Sequence, residues 1–241
     1  MMGMGTLRRL GLLARHWLLP QTCAGCREDL PADWSDPLCG LCRARLPLAQ
    51  PPFCLRCAEP ARAAGELCPD CRRGPFACGL IRAAFLYRGP VPGLVHAFKY
   101  RGRRQAADAA GRWMACLLPG LPELAGHDVV VPVPLHPRRL RERGYNQARL
   151  LAVRVGAAAG LPVLDLLKRV LPTRPQPGLD RRARARNLAA AFQSAPDARG
   201  RSVLLVDDVC TSGASLEGCA EALRRAGARR VGAFVLARQT L

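Results

Sequence analysis

Residues 203–215 narrow the range of possible folds more than any other part of this chain. The run from Val203 to Val206 is apolar and β-favouring, which predicts a buried parallel strand. Asp207 and Asp208 follow at the carboxyl end of that strand, and a turn of small residues then leads into a helical pattern. Ligands of open α/β sheets bind beyond the carboxyl ends of the strands. The stretch therefore predicts an α/β domain with a ligand site at this turn.

The turn after the two acids has the composition of a phosphate-binding loop. A loop of small residues that opens a helix presents backbone N–H groups and the positive end of the helix dipole to a phosphate. Carboxylates beside a phosphate would repel it unless they bind sugar hydroxyls or a hydroxyl-bound Mg²⁺. We therefore expect a phosphorylated sugar as the ligand, with Asp207 and Asp208 as catalytic residues; the alternative is an ordinary strand–helix connection with an acid pair on the surface. The expected phosphate ligands are Thr211, Ser212, Gly213, Ala214 and Ser215.

Four CxxC units in the N-terminal part of the chain predict two structural zinc sites. Each CxxC turn directs two thiolates at one tetrahedral metal, so two turns complete a site. The gaps between the units are 12, 11 and 10 residues, which fits tandem zinc ribbons but leaves sequential and cross-braced pairing both open. Disulfides are disfavoured because no secretory signal is evident. The expected zinc ligands are Cys23, Cys26, Cys39, Cys42, Cys54, Cys57, Cys68 and Cys71.

Length and charge bound the domain organisation and the kind of ligand. The 241 residues suit a small metal module at 20–75 followed by an α/β domain at 80–241. The formal net charge is +19, from 37 basic and 18 acidic residues, which fits a polyanionic ligand or nucleic acid; a solvated basic surface is the alternative. Only 5% of the residues are aromatic, which argues against a dedicated single-strand reader built on base stacking.

The first twenty residues combine arginines with leucines and predict a short basic amphipathic helix that packs on the protein. Peripheral contact with a membrane surface is the alternative. No run of about 18 apolar residues occurs in the sequence, so we expect no transmembrane helix. We expect the protein to work in the cytoplasm.

Apolar strands alternate with amphipathic helices, which predicts a mostly parallel sheet flanked by helices. We expect strands at Leu80–Tyr87, Asp128–Val133 and Pro162–Leu167, from Val203, and at Arg230–Leu236. We expect helices at Pro92–Tyr100, Gln105–Leu118 and Gln147–Ala159, and from Ser215. A linker is expected at Arg72–Pro75, and a polar, arginine-rich loop is expected at Pro172–Asn187.

Several segments of this chain resemble known protein families. The turn at 207–215 resembles the signature with which type I phosphoribosyltransferases bind phosphoribosyl pyrophosphate (PRPP). Three further segments, 98–102, 131–147 and 169–192, resemble those of one family in the same order. With the cysteine module, they make the chain similar to the ComF family, which includes ComFC competence proteins and GntX-like proteins.

The resemblance implies a type I phosphoribosyltransferase fold behind a double zinc ribbon, with PRPP bound together with Mg²⁺. Asp207 and Asp208 would hold the ribose hydroxyls, and Lys99 would add a phosphate contact. A pyrophosphate loop, whose backbone and guanidinium donors suit a multiply charged leaving group, would comprise Leu135, His136, Arg138 and Arg139. A flexible loop that excludes water would include Thr173, Gln176, Arg184 and Asn187.

The resemblance also implies a role in DNA uptake during natural transformation. In that role the protein would handle incoming single-stranded DNA in the cytosol beside a helicase-like competence partner. Two alternatives stay open: transfer of the phosphoribosyl group to an unknown nitrogenous acceptor without a DNA role, and PRPP sensing by a regulator. The sequence contains no legible base-recognition element that would decide among them.

Overall fold

The computed structural model describes residues 21–74, 76–171 and 190–240. The predicted N-terminal helix, the last residue of the predicted linker and the arginine-rich loop lie outside these ranges. The strands are β1 (Leu80–Leu86), β2 (Val129–Pro132), β3 (Leu167–Arg169), β4 (Phe192–Ser194), β5 (Ser202–Cys210) and β6 (Arg230–Arg238). The helices are α1 (Gly40–Ala44), α2 (Pro69–Arg72), α3 (Val91–Tyr100), α4 (Arg104–Leu117), α5 (Pro137–Arg143), α6 (Gln147–Ala159) and α7 (Ala214–Arg225). Within the described ranges, none of the helices is long and apolar enough to span a lipid bilayer.

The central sheet has four parallel strands in the order β1-β6-β5-β2. Leu205 of β5 pairs with Ala233 of β6 on one side and with Val131 of β2 on the other. β3 and β4 form a separate antiparallel pair. The arrangement confirms the predicted mostly parallel sheet flanked by helices.

β5 is buried on both faces, as a continuous apolar strand between two helical layers requires. Val203 and Leu205 pack on the side of α7, whereas Leu204 and Val206 pack on the side of α3, α4 and α6. The strand continues beyond the apolar run to Cys210, because its ladder with β6 continues. The two acids therefore lie within the strand, where consecutive side chains point to opposite faces of the sheet.

Two local predictions differ from the structure. The strand expected within Pro162–Leu167 is reduced to a single parallel bridge between Val163 and Val130, and β3 begins only at Leu167. The turn expected at Leu135–Arg139 leads directly into α5. Pro137 occupies the first helical position of α5, where the fixed φ of proline suits a helix and its missing N–H is not needed.

The cysteine region consists of a first module at residues 21–46 and a second at residues 53–74, and both pack against the α/β domain. In the first module, the backbone lies so close to α3 that a Cβ atom on Gly93 would come within 2.1 Å of the carbonyl oxygen of Ala24. In the second module, Cys54 and Cys57 belong to the same buried core as β1 and the α7 face of the sheet. The first module is therefore built into the domain on the α3 side of the sheet, and the second on the α7 side.

The connection from the second module into β1 is fixed by a buried carboxylate. Glu217, in the first turn of α7, accepts the N–H group of Ala77 and, at 3.3 Å, that of Cys78. The helix that follows the predicted phosphate turn is thus tied to the junction between the cysteine modules and the sheet.

Candidate functional site

Two predicted site segments meet at one edge of the sheet. β5 and β2 pair in parallel, so their carboxyl ends lie side by side. The turn at 211–215 follows β5, and the segment at 135–139 follows β2. Residues more than seventy positions apart in sequence are therefore neighbours at the edge where open α/β sheets bind their ligands.

Asp208 forms an ion pair with Lys99 on the α3 side of the sheet. Lys99 Nζ lies 2.7 Å from Asp208 Oδ1, and the two side chains are only 20% and 10% exposed. Lys99 is in the last turn of α3. The structure thus brings this lysine, which was predicted as a phosphate contact, to the acid pair, where it neutralises one carboxylate.

Asp207 faces the other side of the sheet, toward α7. Burial, and after it the negative charge of Asp208, raise the pKa of Asp207 to about 7. The charges of Lys99 and Arg169 and a hydrogen bond act in the opposite direction; the N–H of Asp208 donates to Asp207 Oδ1 at 2.8 Å. An ionised carboxylate in this position would be stabilised by a cation or a hydroxyl donor. Carboxylate oxygens are ligands that Mg²⁺ prefers, so the donor set fits that ion.

The turn between β5 and α7 depends on Gly213. Its φ of +77° lies in the left-handed region that favours glycine, and it caps the N-terminus of α7. The N–H of Ala214 donates to Ser212 Oγ at 3.4 Å. Thr211 is exposed, and Ser212 and Ser215 are half-buried. Three hydroxyl-bearing residues and a helix N-terminus therefore lie together in this turn, which is the composition that a phosphate site requires.

A buried arginine that the sequence pattern did not predict holds the base of this turn. Arg238, the last residue of β6, is 1% exposed and donates to the carbonyl oxygens of Cys210, at 3.2 Å, and Thr211. Its Nη2 pairs with Glu59 Oε2 at 2.5 Å. The sequence feature that could have indicated its role is a charged residue at the end of a nine-residue strand whose interior is apolar.

The segment after β2 carries two arginines at the sheet edge where the turn after β5 also lies. Arg138 and Arg139 are exposed in the first turn of α5, and His136 and Leu135 are half-buried. His136 Nδ1 accepts the N–H of Arg138 at 3.2 Å and so caps the helix. The Arg138 side chain pairs with Glu142 at 3.0 Å. All four residues of the predicted pyrophosphate loop thus lie at the same sheet edge as the acids.

Arg169, at the end of β3, is a further basic group on the Asp207 side. Burial, and after it the charge of Arg139, lower the pKa of Arg169, and its guanidinium lies 5.4 Å from the centroid of the Phe192 ring on β4. β3 and β4 precede and follow the predicted flexible loop. The residues predicted for that loop, which lie outside the described residues, are Thr173, Gln176, Arg184 and Asn187.

The eight CxxC cysteines form two clusters in which the sulfur atoms lie within 4.8 Å of one another. The pairing is sequential, which settles the alternative that the spacing left open. Four thiolates around one point fit tetrahedral zinc. The first cluster is Cys23, Cys26, Cys39 and Cys42; the second is Cys54, Cys57, Cys68 and Cys71.

The two clusters repeat the same local fold. In each, the N–H of the third cysteine donates to the sulfur of the first, at 3.2 Å in the first cluster and 3.3 Å in the second. The N–H of Cys23 donates to the carbonyl of Glu28 at 2.8 Å, and that of Cys54 to the carbonyl of Glu59 at 2.7 Å. Glu28 and Glu59 therefore occupy equivalent positions in the two ribbons.

Comparison with known proteins places both parts of the chain in families. Residues 14–72 match the double zinc ribbon domain, and residues 157–240 match the phosphoribosyl transferase domain. Both matches confirm the predicted fold class, and the first, with the two cysteine clusters, identifies the clusters as structural zinc sites.

Curated relatives match across most of their length. The DNA utilization protein YhgH of Salmonella typhi is 33% identical over 222 residues, which cover 83% of this chain and 96% of the relative. Competence protein F of Haemophilus influenzae is 29% identical over 231 residues, with 90% and 96% covered. Competence protein ComFC of Bacillus subtilis is 27% identical over 209 residues, with 83% and 84% covered.

Proposed function

This chain belongs to the ComF family, and from that premise we propose that it binds PRPP with Mg²⁺ and acts in DNA uptake, handling incoming single-stranded DNA in the cytoplasm. The observation that carries the proposal is the meeting, at one sheet edge, of the two acids of β5, the glycine turn and the segment after β2. The names of the relatives, a DNA utilization protein and two competence proteins, support the DNA role. A helicase-like competence partner belongs to the same proposal.

Each part of PRPP has a counterpart at this edge. The turn at 211–215 would hold the 5′-phosphate through backbone N–H groups and hydroxyls. Asp207 and Asp208 would bind the ribose hydroxyls, directly or through Mg²⁺. The segment at 135–139 would hold the pyrophosphate, where guanidinium donors offset its charge.

Lys99 would neutralise either the acid pair or a phosphate group of the ligand, depending on whether Mg²⁺ is bound. Its ammonium group lies 2.7 Å from Asp208 Oδ1. Mg²⁺ beside the carboxylates would take over the neutralisation of Asp208, because a divalent ion is then the largest local charge. Lys99 would be released to face a phosphate group, so we expect Mg²⁺ and PRPP to bind cooperatively.

The test of the PRPP site is calorimetry on the Asp207→Ala/Asp208→Ala protein. Loss of one charged hydrogen bond costs about 1.5–3 kcal/mol, so PRPP affinity should fall at least about ten-fold, together with its Mg²⁺ dependence. Asp165→Ala, at an exposed surface ion pair, is the control and should keep wild-type affinity. Wild-type affinity in the double variant would remove the basis for the PRPP proposal.

A second variant tests the turn itself. Gly213→Val should abolish binding of ribose 5-phosphate, because valine is strained at positive φ and its side chain blocks close approach to the backbone. Gly200→Val is the matched control, since Gly200 has a φ of +73° and open space around it, and it lies in the turn that precedes β5. Equal binding by the two variants would contradict the assignment of the turn.

The DNA part of the proposal has a defined surface next to the PRPP site. Tyr100, which follows Lys99, is 68% exposed, and the Arg143 guanidinium lies 5.3 Å from the centroid of its ring. The His96 ring lies 5.0 Å from the same centroid. An exposed aromatic ring with an arginine beside it suits a stacked nucleic-acid base with its backbone phosphates nearby.

The surface around Tyr100 is held in place by a buried tyrosine. The hydroxyl of Tyr145 donates to the carbonyl of Phe98, which fixes the turn after α5 against the last turn of α3. Arg104 lies 4.8 Å from the centroid of the Tyr145 ring and donates to the carbonyl of Gly144 at 3.0 Å. We call the group formed by Tyr100, Arg104 and Arg143 the tyrosine platform, and we propose that single-stranded DNA crosses it.

Fluorescence anisotropy with an oligothymidylate tests the platform. Wild-type affinity should fall steeply with salt, because phosphate contacts release counterions. Tyr100→Ala should weaken binding about ten-fold, the effect of one lost base stack of about 1–3 kcal/mol, and Tyr100→Phe should retain it. Arg143→Ala should reduce the slope of log affinity against log salt by roughly 0.7.

Arg112→Ala is the control for charge alone, since Arg112 lies on α4 and pairs with Asp108 at 2.9 Å. Arg112→Ala should change neither the free energy of base stacking on Tyr100 nor the contacts within the tyrosine platform. Affinity that is flat from low to physiological salt would refute the electrostatic account. Equal affinity in Tyr100→Ala and wild type would refute the platform.

A further inference from the structure

Arg238 joins two parts of the molecule that the sequence keeps 179 residues apart. On one side its Nη1 donates to the carbonyl oxygens of Cys210 and Thr211 and, at 3.0 Å, to Cys210 Sγ. On the other side its Nη2 pairs with Glu59 of the second zinc ribbon. The guanidinium is buried between the phosphate turn and the ribbon, and it contacts both.

Glu59 is fixed by the zinc knuckle to which it belongs. Its carbonyl oxygen accepts the N–H of Cys54 at 2.7 Å, and it lies two residues after Cys57. The position of the Glu59 carboxylate therefore follows from a folded second ribbon.

The first ribbon provides the comparison. Glu28 has the same backbone hydrogen bond to Cys23, at 2.8 Å, but the residue is exposed to solvent. In the second ribbon the Glu59 carboxylate is only 18% exposed and faces a buried guanidinium. A buried charge needs a partner of opposite sign, and its removal leaves the remaining ion uncompensated. The two equivalent glutamates therefore have different roles.

We propose that Glu59 and Arg238 form a brace through which the second zinc ribbon positions the phosphate turn, so that binding of the 5′-phosphate depends on the folded second ribbon. Both are positioning residues, because Arg238 acts on the backbone carbonyls at the start of the turn and Glu59 acts on Arg238. The inference rests on the proposed PRPP site. It assigns the zinc module a part in ligand binding beyond its own folding.

The decisive experiment compares Glu59→Gln with Glu28→Gln in the full-length, zinc-loaded protein. Calorimetry would measure ribose 5-phosphate, which probes the phosphate turn, and inorganic pyrophosphate, which probes the segment after β2. We expect Glu59→Gln to weaken ribose 5-phosphate at least about ten-fold and to leave pyrophosphate within about two-fold of wild type. Glu28→Gln should change neither affinity.

Zinc content and hydrogen exchange separate positioning from loss of structure. Glu59→Gln should retain two zinc ions per chain and show faster amide exchange at residues 210–215 than wild type. Arg238→Lys, which keeps the charge but not the planar fork, should give an intermediate loss. Unchanged ribose 5-phosphate affinity in Glu59→Gln, or an equal fall for both probes, would overturn the brace.

Failure of the proposed function gives a different result. If wild-type protein bound neither PRPP nor ribose 5-phosphate, the PRPP proposal would fail, and hydrogen exchange would then decide the brace by itself. Faster exchange at residues 210–215 in Glu59→Gln, but not in Glu28→Gln, would still support it. Identical exchange in the two variants would refute it.

Discussion

The two zinc ribbons share a hydrogen-bond pattern but not an environment. The first cluster has one buried thiol, that of Cys23, and its Cys26 is exposed; in the second, three of the four cysteines are buried, with Cys68 half-buried. The first ribbon packs into the core on the α3 side of the sheet, where Cys23, Leu30 and Leu38 are buried, whereas the second packs into the core on the α7 side. One local fold therefore packs on opposite faces of the same sheet, and its cysteines are more deeply buried in the second copy than in the first.

The residue that precedes the first cysteine of each ribbon also has different contacts in the two copies. Thr22 of the first ribbon is held by the half-buried Arg103, which donates to its carbonyl and hydroxyl oxygens at 2.7 and 3.0 Å. The equivalent Phe53 of the second ribbon lies under the guanidinium of Arg82, 4.7 Å from its ring centroid. Arg82 is buried, donates to the carbonyl of Leu55 at 3.1 Å and pairs with Glu123. We therefore expect damage to the second ribbon to spread into the domain.

The largest effect should come from the zinc ligands. Cys57→Ser and Cys26→Ser should each lower the zinc content from two to one, as Cys39→Ser should also do. Structural zinc contributes folding free energy directly, so Cys57→Ser should destabilise the whole protein by at least about 3 kcal/mol, and Cys26→Ser should cost about half as much. Metal analysis with thermal unfolding measures both. Cys116→Ser, at an exposed cysteine outside the clusters, is the control, and equal losses at the two ribbons would contradict the contrast.

The next effect concerns the two arginines. Arg82→Ala should cost about 3 kcal/mol, because it leaves buried carbonyls and Glu123 without their partner. Arg103→Ala should cost about 1 kcal/mol, since water can replace its two hydrogen bonds. Urea unfolding of both variants gives the comparison. A larger loss in Arg103→Ala would mean that the contacts of the first ribbon with the domain, and not those of the second, contribute more to stability.

A smaller and local effect should follow from Gly93→Ala. The new Cβ would meet the Ala24 carbonyl, a backbone atom that cannot rotate away, so the first ribbon should separate from α3 at a cost of about 1–3 kcal/mol. Hydrogen exchange should rise at residues 21–46 and stay unchanged at 53–74. Gly40→Ala, in the same ribbon but with open space around it, is the matched control. Exchange that rose in both ribbons would show that they are coupled.

The smallest effect is a dependence on acid pH. Burial raises the pKa of Glu123, but the hydrogen bond and charge of Arg82 act against it and hold that pKa below its ordinary value. A carboxyl whose pKa is lower in the folded state adds stability above its unfolded pKa, near 4.5, and loses that stability as the pH falls through its folded pKa. Wild-type protein should therefore lose stability below about pH 4.5 more steeply than Glu123→Gln. Glu28→Gln should keep the wild-type dependence of stability on pH. Because zinc release in acid is common to all three proteins, a difference confined to Glu123→Gln reports on Glu123.

Much of this arrangement follows from local sequence. α6 begins and ends where its pattern predicts, because Asn146 accepts the N–H of Ala148 at its start and Gly160 adopts the left-handed conformation at its end. The acid pair and the glycine turn are consecutive in the chain, from Asp207 to Ser215, so the sequence alone places them together. Such features depend on neighbours within a few residues, so they can be predicted from the sequence.

The remaining features depend on partners far away in sequence. Near-equal spacing could not distinguish sequential from cross-braced zinc pairing, because either satisfies four sulfur ligands. The brace joins Glu59 to Arg238 across the whole domain, and no local pattern marks such a pair. The opposite directions of Asp207 and Asp208 could have been predicted from strand alternation, but only if the strand had been extended past Val206.

The position of β6 has a consequence for how the protein is made. β6 lies between β1 and β5, and Leu80 pairs with Gly232, so the sheet closes only after about 150 further residues have left the ribosome. At ordinary synthesis rates that takes roughly 10–30 s. During this interval both ribbons can bind metal, but β1 exposes an edge and Glu59 has no arginine to face. All eight zinc ligands precede β1, whereas Arg238 ends the last strand, so the order of synthesis makes the zinc sites available before the phosphate turn can be braced.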